Sequence, residues 1–405
     1  MEEKTRVSRL FAERTGRMSS SIIRELCKLA VRGEVVSLAG GWPNSDAFPY
    51  AFTAKAIRKY MKEKKGEVLQ YGTSDGVKEL REWLAGWLKE KEGIETEPDG
   101  IMISAGAQNG MDLCCRVFVN EGEVCLVELP TYFGGVGSIR FYGGVPVGVK
   151  TDDEGVVVDE VERVVEKLAG EGKRVKLMYI QPNYHNPLGV TLSEKRREKL
   201  LEVARKFDFV LMEDNPYGDL CYDGMPSKPL KSMDRDGRVV YIKSFAKVFS
   251  PGIRLAAVVA HPEVVAKMVV ARQFVDCCPP TLSQYLFLEF CRSGMLERHI
   301  VKLRKFYGKR MKKMIEHIEK YFPQGIKFTR PRGGFFVFVY LPDGLDADAI
   351  LEESMKGNVA FVPGKQFFVD GSGSNTLRLS FSQAPEEKME EAIRSIGEIL
   401  AKKVK

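Results

Sequence analysis

Residues 239–254 read VVYIKSFAKVFSPGIR. The run from Val239 to Ile242 is short, apolar and rich in β-branched and aromatic residues, which predicts a buried strand. Ser244-Phe245-Ala246-Lys247 comes next, and Ser250-Pro251-Gly252 then breaks regular structure. Lys247 therefore stands at the mouth of a strand rather than on a solvated helix face. Lys231 and Lys243 lie close by, and position alone does not choose among the three lysines. The residues after Lys247 separate them: Pro251-Gly252-Ile253-Arg254 brings a cation back after a turn, and residues 255–260 are strand-like again. A lysine with a hydroxyl before it (Ser244) and an arginine after it (Arg254) suits a phosphorylated aldehyde, because the amine forms a Schiff base while its neighbours hold the phosphate. Taken alone, the same stretch also reads as a strand-end lysine at the surface, so the rest of the chain has to decide.

Outward from this stretch, strand and helix patterns alternate from Gly100 onward. Strands are predicted at 101–104, 124–129, 145–149, 175–181 and 207–214, with helices at 109–119, about 133–141 and 193–206 between them. Asp159 followed by Glu162 has capping-box spacing and predicts another helix start, with Val161, Val164, Val165 and Leu168 at helical period. Apolar strands separated by helices indicate a mostly parallel sheet covered on both faces, whose ligand site lies beyond the carboxyl ends of the strands. After 262–271, a helical stretch at 281–321 is expected to break near Ser293-Gly294. The C-terminal part changes character, with strands at 326–330, 335–340, 359–362 and 376–381 and helices at 346–355 and 385–402. Upstream, 18–29 reads as a helix, 37–49 as a turn-rich segment, and 51–64 and 77–91 as helices around the loop LQYGTSDG. The expected class is α/β: residues 46–282 form a large domain, 283–405 a smaller α+β domain, and 1–45 an arm that joins the smaller one.

Composition bounds the function. The chain has 405 residues, 44% hydrophobic and 29% charged, with a net charge of +7. The charges are interspersed and no basic stripe forms, which argues against a nucleic-acid partner. The chain starts MEEKTRVSRLFAERTG without an apolar signal region, and no run approaches membrane-spanning length. Eight cysteines, among them the adjacent pairs Cys114-Cys115 and Cys277-Cys278, show no zinc-like spacing and mostly sit in apolar stretches. That usage suits a reducing compartment, and a cytoplasmic location is expected. With four histidines and no pair at ligand spacing, no metal is expected.

The polar residues at the predicted strand ends form a constellation. Gly106-Ala107-Gln108 offers backbone N–H groups at a helix N-terminus, a place favourable to an anion. Tyr132 comes after Pro130 at a strand end. Asn186 sits in PNYHNPLG after another strand. Asp214 ends a strongly apolar strand, where a carboxylate is costly unless a cation pairs with it, and Tyr217 stands three residues later. A pyridinium nitrogen would satisfy the carboxylate, and the tyrosine hydroxyl could reach an adjacent phenolate oxygen.

The blocks SIIREL, SLAGGWPNSDAFP, LQYGTSDG, ISAGAQ, ELPTY, PNYHNPLG, EDNPYG, SFAKVFSPGIR, RPRGGFF, VAFVPG and NTLRLSF occur in an order that resembles the fold-type I pyridoxal-phosphate-dependent aminotransferases. The branch they resemble is that of the 2-aminoadipate and kynurenine aminotransferases. The resemblance implies transfer of an amino group from a 2-aminoadipate, aromatic or branched-chain amino acid to 2-oxoglutarate by a ping-pong mechanism. It implies pyridoxal 5'-phosphate as cofactor, joined to Lys247, which also shuttles the substrate proton. Asp214 would keep the ring nitrogen protonated, Tyr217 and Asn186 would bond the ring oxygen, and Tyr132 would stack on the ring. Gly106, Ala107, Gln108, Ser244 and Arg254 would bind the phosphate, joined by Tyr71 from a second subunit, so that a homodimer with shared sites is implied. Arg378 would pair with the substrate α-carboxylate through a fork that lysine cannot supply. Gly40 and Gly41 would approach the substrate through backbone, and Arg24 is the candidate cation for a distal carboxylate. Ala246, Ala107 and Leu188 depart from the family's SFSK, GSQ and NPTG, so that two hydroxyls that would serve the phosphate are missing, at Ala107 and Ala246, and Trp42 stands where a smaller apolar residue is more usual. A β-lyase or decarboxylase on the same cofactor shares Lys247, Asp214 and Arg254, and a cofactor-sensing regulator shares the domain. The pairing of Arg378 with Arg24 favours transamination.

Overall fold

The first strand, β1 (Val36–Ser37), is two residues long and belongs with the C-terminal part of the chain. The next eight build one sheet: β2 (Ile101–Ser104), β3 (Val124–Leu129), β4 (Val145–Asp152), β5 (Gly155–Val156), β6 (Val175–Ile180), β7 (Val210–Asn215), β8 (Val239–Ser244) and β9 (Ala256–Val259). Their order across the sheet is β2-β9-β8-β7-β6-β3-β4-β5. β4, β3, β6, β7 and β8 pair in parallel, whereas β9 runs against both β8 and β2, and β5 closes a hairpin on β4. The computed structural model describes residues 6–17, 26, 34–224 and 226–404.

The sequence dictates this arrangement through burial. Every residue of β2, β8 and β9 is buried, as are all but one each in β3, β6 and β7. Strands covered on both faces need continuous apolar runs rather than alternation, and parallel neighbours need crossovers, here helices except between β7 and β8, where a long segment carries only the short 3-10 turn Leu230–Met233. Phe133–Phe141 connects β3 to β4, Val158–Gly170 precedes β6, and Glu194–Lys206 connects β6 to β7. The carboxyl ends of β2, β3, β6, β7 and β8 consequently open on one edge of the sheet.

The C-terminal strands are β10 (Lys327–Phe328), β11 (Phe336–Tyr340), β12 (Val359–Ala360), β13 (Val362–Pro363) and β14 (Thr376–Ser380). Four of them form an antiparallel sheet, β10-β11-β14-β13, while β12 pairs in parallel with β1. Leu38 N–H donates to the Ala360 carbonyl at 2.7 Å and Ser380 N–H to the Leu38 carbonyl at 2.8 Å. The segment from Val36 is thus stitched to residues more than three hundred positions away.

Some local expectations are corrected. The helix expected to start with Asp159 as cap begins at Val158, with Val157 as a cap that supplies no side-chain bond. Asp159 lies inside the first turn, where its charge suits the helix N-terminus, and it pairs with Lys199. β4 runs three residues past 149 because Thr151 and Asp152 pair with β5. The strand expected at 326–330 shrinks to β10. The break near Gly294 is present: Gly294, at φ +65°, separates helices Thr281–Arg292 and Met295–Tyr321. The helix expected at 18–29 lies outside the described residues apart from Leu26, which is buried. The seven described cysteines are free thiols, five of them buried. Among the described residues, no helix is long and apolar enough to cross a membrane.

Candidate active site

Lys247 lies three residues beyond β8, in the turn that reverses the chain into β9. Its Nζ donates to the Gly41 carbonyl at 3.0 Å and stands 5.8 and 6.0 Å from the ring centres of Tyr217 and Phe335. Burial brings its pKa down to about 8, a fall that Asp214 opposes and Arg254 and Arg378 reinforce. The other two lysines have different partners. Lys243 is held between Glu92 (2.6 Å) and Asp219 (2.8 Å) above the Trp87 ring, and Lys231 pairs with Asp234 at 2.9 Å. Those two are occupied in ion pairs, whereas Lys247 faces a backbone carbonyl.

Asp214, in β7, is buried. Its Oδ2 accepts from the Tyr179 hydroxyl at 3.0 Å and from Gln181 Nε2 at 2.6 Å. Its Oδ1 is buried with no hydrogen-bond partner among the described residues. Burial pushes this carboxyl up to about 6, against the hydrogen bonds of Gln181 and Tyr179 and the charge of Lys247. Tyr217 stands edge-on to Phe335 and Phe336, with ring centres 5.3 and 5.8 Å apart, and burial raises its hydroxyl pKa.

Arg378, in the middle of β14, brings the C-terminal sheet to the same place. Nη1 donates to Asn186 Oδ1 at 2.7 Å and Nη2 to the Ala39 carbonyl at 2.6 Å. Its guanidinium carbon lies 4.1 Å from the ring centre of Phe336 and 4.9 Å from that of Phe367. The 40–42 backbone is held by Ser382, whose hydroxyl donates to the carbonyls of Trp42 (2.6 Å) and Gly40 (3.4 Å). A Cβ on Gly41 would come within 2.8 Å of Phe336 Cζ, so a side chain there would require the Phe336 ring to shift.

A second cluster lies where helix Ala107–Phe118 begins. Gly106, at φ +86°, caps it, and a Cβ there would meet Arg254 Nη2 at 2.5 Å. Arg254 is itself left-handed, at φ +51°, and its side chain is exposed beside the Ala105 carbonyl. The N–H groups of Ala107 and Gln108 belong to the first turn, where no intrahelical acceptor exists. The Gln108 side chain has a structural task, bonding the Gly134 carbonyl and Ser138 Oγ, both at 3.0 Å. Ser244 is buried, and its Oγ accepts from Ala246 N–H at 3.4 Å. Tyr132 caps the helix Phe133–Phe141, its ring 4.8 Å from that of Phe133.

The structure therefore brings together Lys247, Asp214, Tyr217, Asn186, Arg378 and Gly41 in one cluster and Gly106 and Arg254 in another. Tyr71 is 83% exposed on the surface. Arg24 lies outside the described residues. Sequence reasoning missed Tyr179 and Gln181, although both occur in the strand it marked out. Gln181 is an amide closing an apolar strand, the same signal that singled out Asp214. Pyridoxal phosphate is the group such a set of residues would hold. A buried carboxylate oxygen lacking a donor suits a protonated ring nitrogen, a lysine near pKa 8 suits an aldehyde, and a helix N-terminus beside an arginine suits a phosphate. The residues fit it.

Residues 34–396 match the profile of the family described as aminotransferase class I and II. The chain belongs to that family. It is 40% identical over 395 residues to the aromatic-amino-acid aminotransferase 1 of Thermococcus litoralis, covering 98% of this chain and 95% of that one. Its fold superposes with a TM-score of 0.95 on the kynurenine aminotransferase of Pyrococcus horikoshii, solved with PMP, at 39% identity and 99% coverage of both chains. The α-aminoadipate aminotransferase of Thermus thermophilus, complexed with N-(5'-phosphopyridoxyl)-L-leucine, gives a TM-score of 0.90 at 33% identity over 98% of both chains. This aminotransferase is a pyridoxal-phosphate-dependent enzyme of fold type I, with the mixed sheet flanked by helices described above.

Proposed function

We propose that this aminotransferase moves the amino group of an aromatic, branched-chain or 2-aminoadipate-type amino acid to 2-oxoglutarate, donor and acceptor using one site in turn. The observation that carries the reading is the convergence of Lys247, the unpartnered Oδ1 of Asp214 and the buried fork of Arg378 in one cluster. Aromatic side chains pack against these groups, Tyr217 and Phe335 beside Lys247 and Phe336 and Phe367 beside Arg378. The names of the relatives support aromatic and aminoadipate donors, and the leucine adduct of the Thermus protein supports an apolar one.

Bound pyridoxal phosphate supplies an aldehyde that joins amino groups and a ring that draws electrons from the substrate Cα. The chain supplies the rest. With a pKa of about 8, roughly a tenth of Lys247 is neutral at pH 7, the form able to hold the aldehyde and later to take and return the Cα proton at Nζ. Asp214 holds the ring-nitrogen proton, and Tyr217 and Asn186 take the ring oxygen. The first turn after Gly106, with Ser244 and Arg254, would bind the phosphate, and Tyr132 would pack on the ring. Asn186 and the Ala39 carbonyl fix the plane of Arg378, which orients the α-carboxylate. Tyr71 reaches the phosphate of a second subunit, so the working form is a homodimer, and the enzyme acts in the cytoplasm.

A panel of donors (phenylalanine, kynurenine, leucine, 2-aminoadipate) mixed with 2-oxoglutarate should yield glutamate, and Lys247→Ala should abolish it while the far-UV spectrum stays native. No glutamate from any donor overturns the reading. Arg24 is the proposed cation for a distal carboxylate, on sequence context alone. Arg24→Ala should cost acidic donors on the order of 2–5 kcal/mol in kcat/KM and leave leucine nearly unchanged. Equal losses for both kinds of donor would remove Arg24 from the substrate pocket.

A further inference from the structure

We propose that Gln181 is a positioning residue that sets the carboxylate facing the cofactor ring and the loop holding the substrate arginine with a single side-chain amide. The inference rests on the aminotransferase reading above and concerns a residue that this reading leaves without a task. Gln181 directly follows the last residue of β6, the strand next to β7, and is 2% exposed. Its Nε2 donates to Asp214 Oδ2 at 2.6 Å, and its Oε1 accepts from Asn186 N–H at 3.0 Å. Its own N–H donates to Glu128 Oε2 at 2.8 Å. Asn186 Oδ1 then accepts from Arg378. One amide thus spans the two ends of the site.

The direction of this amide is not a free choice. A backbone N–H can only donate, so the oxygen of Gln181 must face Asn186 and its NH2 must face Asp214. The NH2 can only donate in turn, and the Tyr179 hydroxyl reaches the same Oδ2. Two donors on one oxygen keep Oδ2 unprotonated and accepting, and leave Oδ1 as the atom available to the ring nitrogen. Gln181 therefore fixes which oxygen of Asp214 does the work, and it favours the charged state that burial opposes. The charged and titratable groups around this contact are Tyr179 and Lys247 beside Asp214, and Glu128 beyond Gln181, with His185 Nε2 3.0 Å from Glu128.

Gln181→Leu keeps the volume and removes both bonds. Two readouts other than turnover test the assignment. Titrating pyridoxal phosphate into the cofactor-free variant should show binding about tenfold weaker than wild type, as expected for loss of a hydrogen bond to a charged acceptor. The variant's visible lysine–cofactor absorbance should also titrate at a displaced pH, since Asp214 no longer holds its charge beside Lys247. On the substrate side, 3-phenylpropionate, an unreactive carboxylate, should bind the loaded variant several-fold more weakly because Asn186 no longer steadies Arg378. A melting temperature of the cofactor-free variant establishes that it folds, and Gln181→Met, also apolar and of similar length, should reproduce the losses if Leu is poorly accommodated. Cofactor affinity within twofold of wild type with an unmoved absorbance titration, in a folded variant, overturns the proposal. Failure of the wild-type protein to form the lysine–cofactor band would overturn the aminotransferase reading instead.

Discussion

The Asp214 carboxyl sits near pH 6 in the fold, against 3.8 for an ordinary aspartate, because burial penalises its charge more than Gln181, Tyr179 and Lys247 favour it. Between those two values the native protein without cofactor keeps a proton that the unfolded chain has released. Stability therefore falls as pH rises through that window, by about 3 kcal/mol at neutrality. Lys247 adds to the same economy from the opposite sign, a buried amine whose charged form is disfavoured. Both groups are prepared for a partner, and both are uncomfortable in its absence. Asp214→Asn should thus melt higher than wild type at pH 7 when both lack cofactor, with the gap narrowing toward pH 4, where the native carboxyl is already neutral. The same variant should bind pyridoxal phosphate more weakly and turn over little. Calorimetry at the two pH values checks the first half and a cofactor titration the second. A variant that melts lower than wild type at pH 7 would show that the charge is better satisfied than its surroundings indicate.

At the scale of elements, the proposed phosphate end of the site is made by two turns: the one after β2 that opens helix Ala107–Phe118, and the one between β8 and β9. Each has an alanine at a position where the family's motifs carry a hydroxyl, Ala107 in the first and Ala246 in the second. Ala246 is 9% exposed and its N–H already points to Ser244 Oγ, so a serine there stands beside the proposed phosphate position. One restored hydrogen bond contributes about 0.5–1.5 kcal/mol, or up to roughly 3 with a charged acceptor. Ala246→Ser should tighten cofactor binding several-fold in a titration of the cofactor-free protein; an unchanged or weaker affinity would place the hydroxyl away from the phosphate. These elements were legible in the sequence because doubly buried strands leave continuous apolar runs and a polar residue at such a strand's end stands out, as Asp214 does. Partnership across the sheet was not legible. Whether Lys243 or Lys247 is free depends on Glu92 and Asp219, 151 and 24 residues from Lys243, and nothing local reports them. Tyr179 and Gln181 went unassigned for the same reason, since their meaning lies in the neighbouring strand. The false cap at Asp159 has the opposite cause: a local pattern matched a motif, while the hydrophobic periodicity already started at Val158.

For the whole molecule, the exposure of Tyr71 (83%) and its neighbour Leu69 (70%) is what a surface awaiting a second copy would show. If Tyr71 serves a partner's phosphate, light scattering should give twice the chain mass, and Tyr71→Phe should weaken cofactor binding several-fold while leaving that mass unchanged. A monomer with full activity would end the shared-site proposal. The substrate end of the site has a further property, set by the stitching of β1 to β12 and of Ala39 to Arg378, residues 339 positions apart. A ribosome extends the chain from its N-terminus, so the lysine, the carboxylate and the phosphate turns emerge while Arg378 is still unmade. The large sheet holds all its strands by residue 259, yet the Ala39 carbonyl waits for nearly the last element of the chain. Contacts of such long range form late and slowly. A growing chain can acquire a place for its cofactor well before it acquires a grip on its substrate, and the capacity to act on amino acids arrives only with the finished protein.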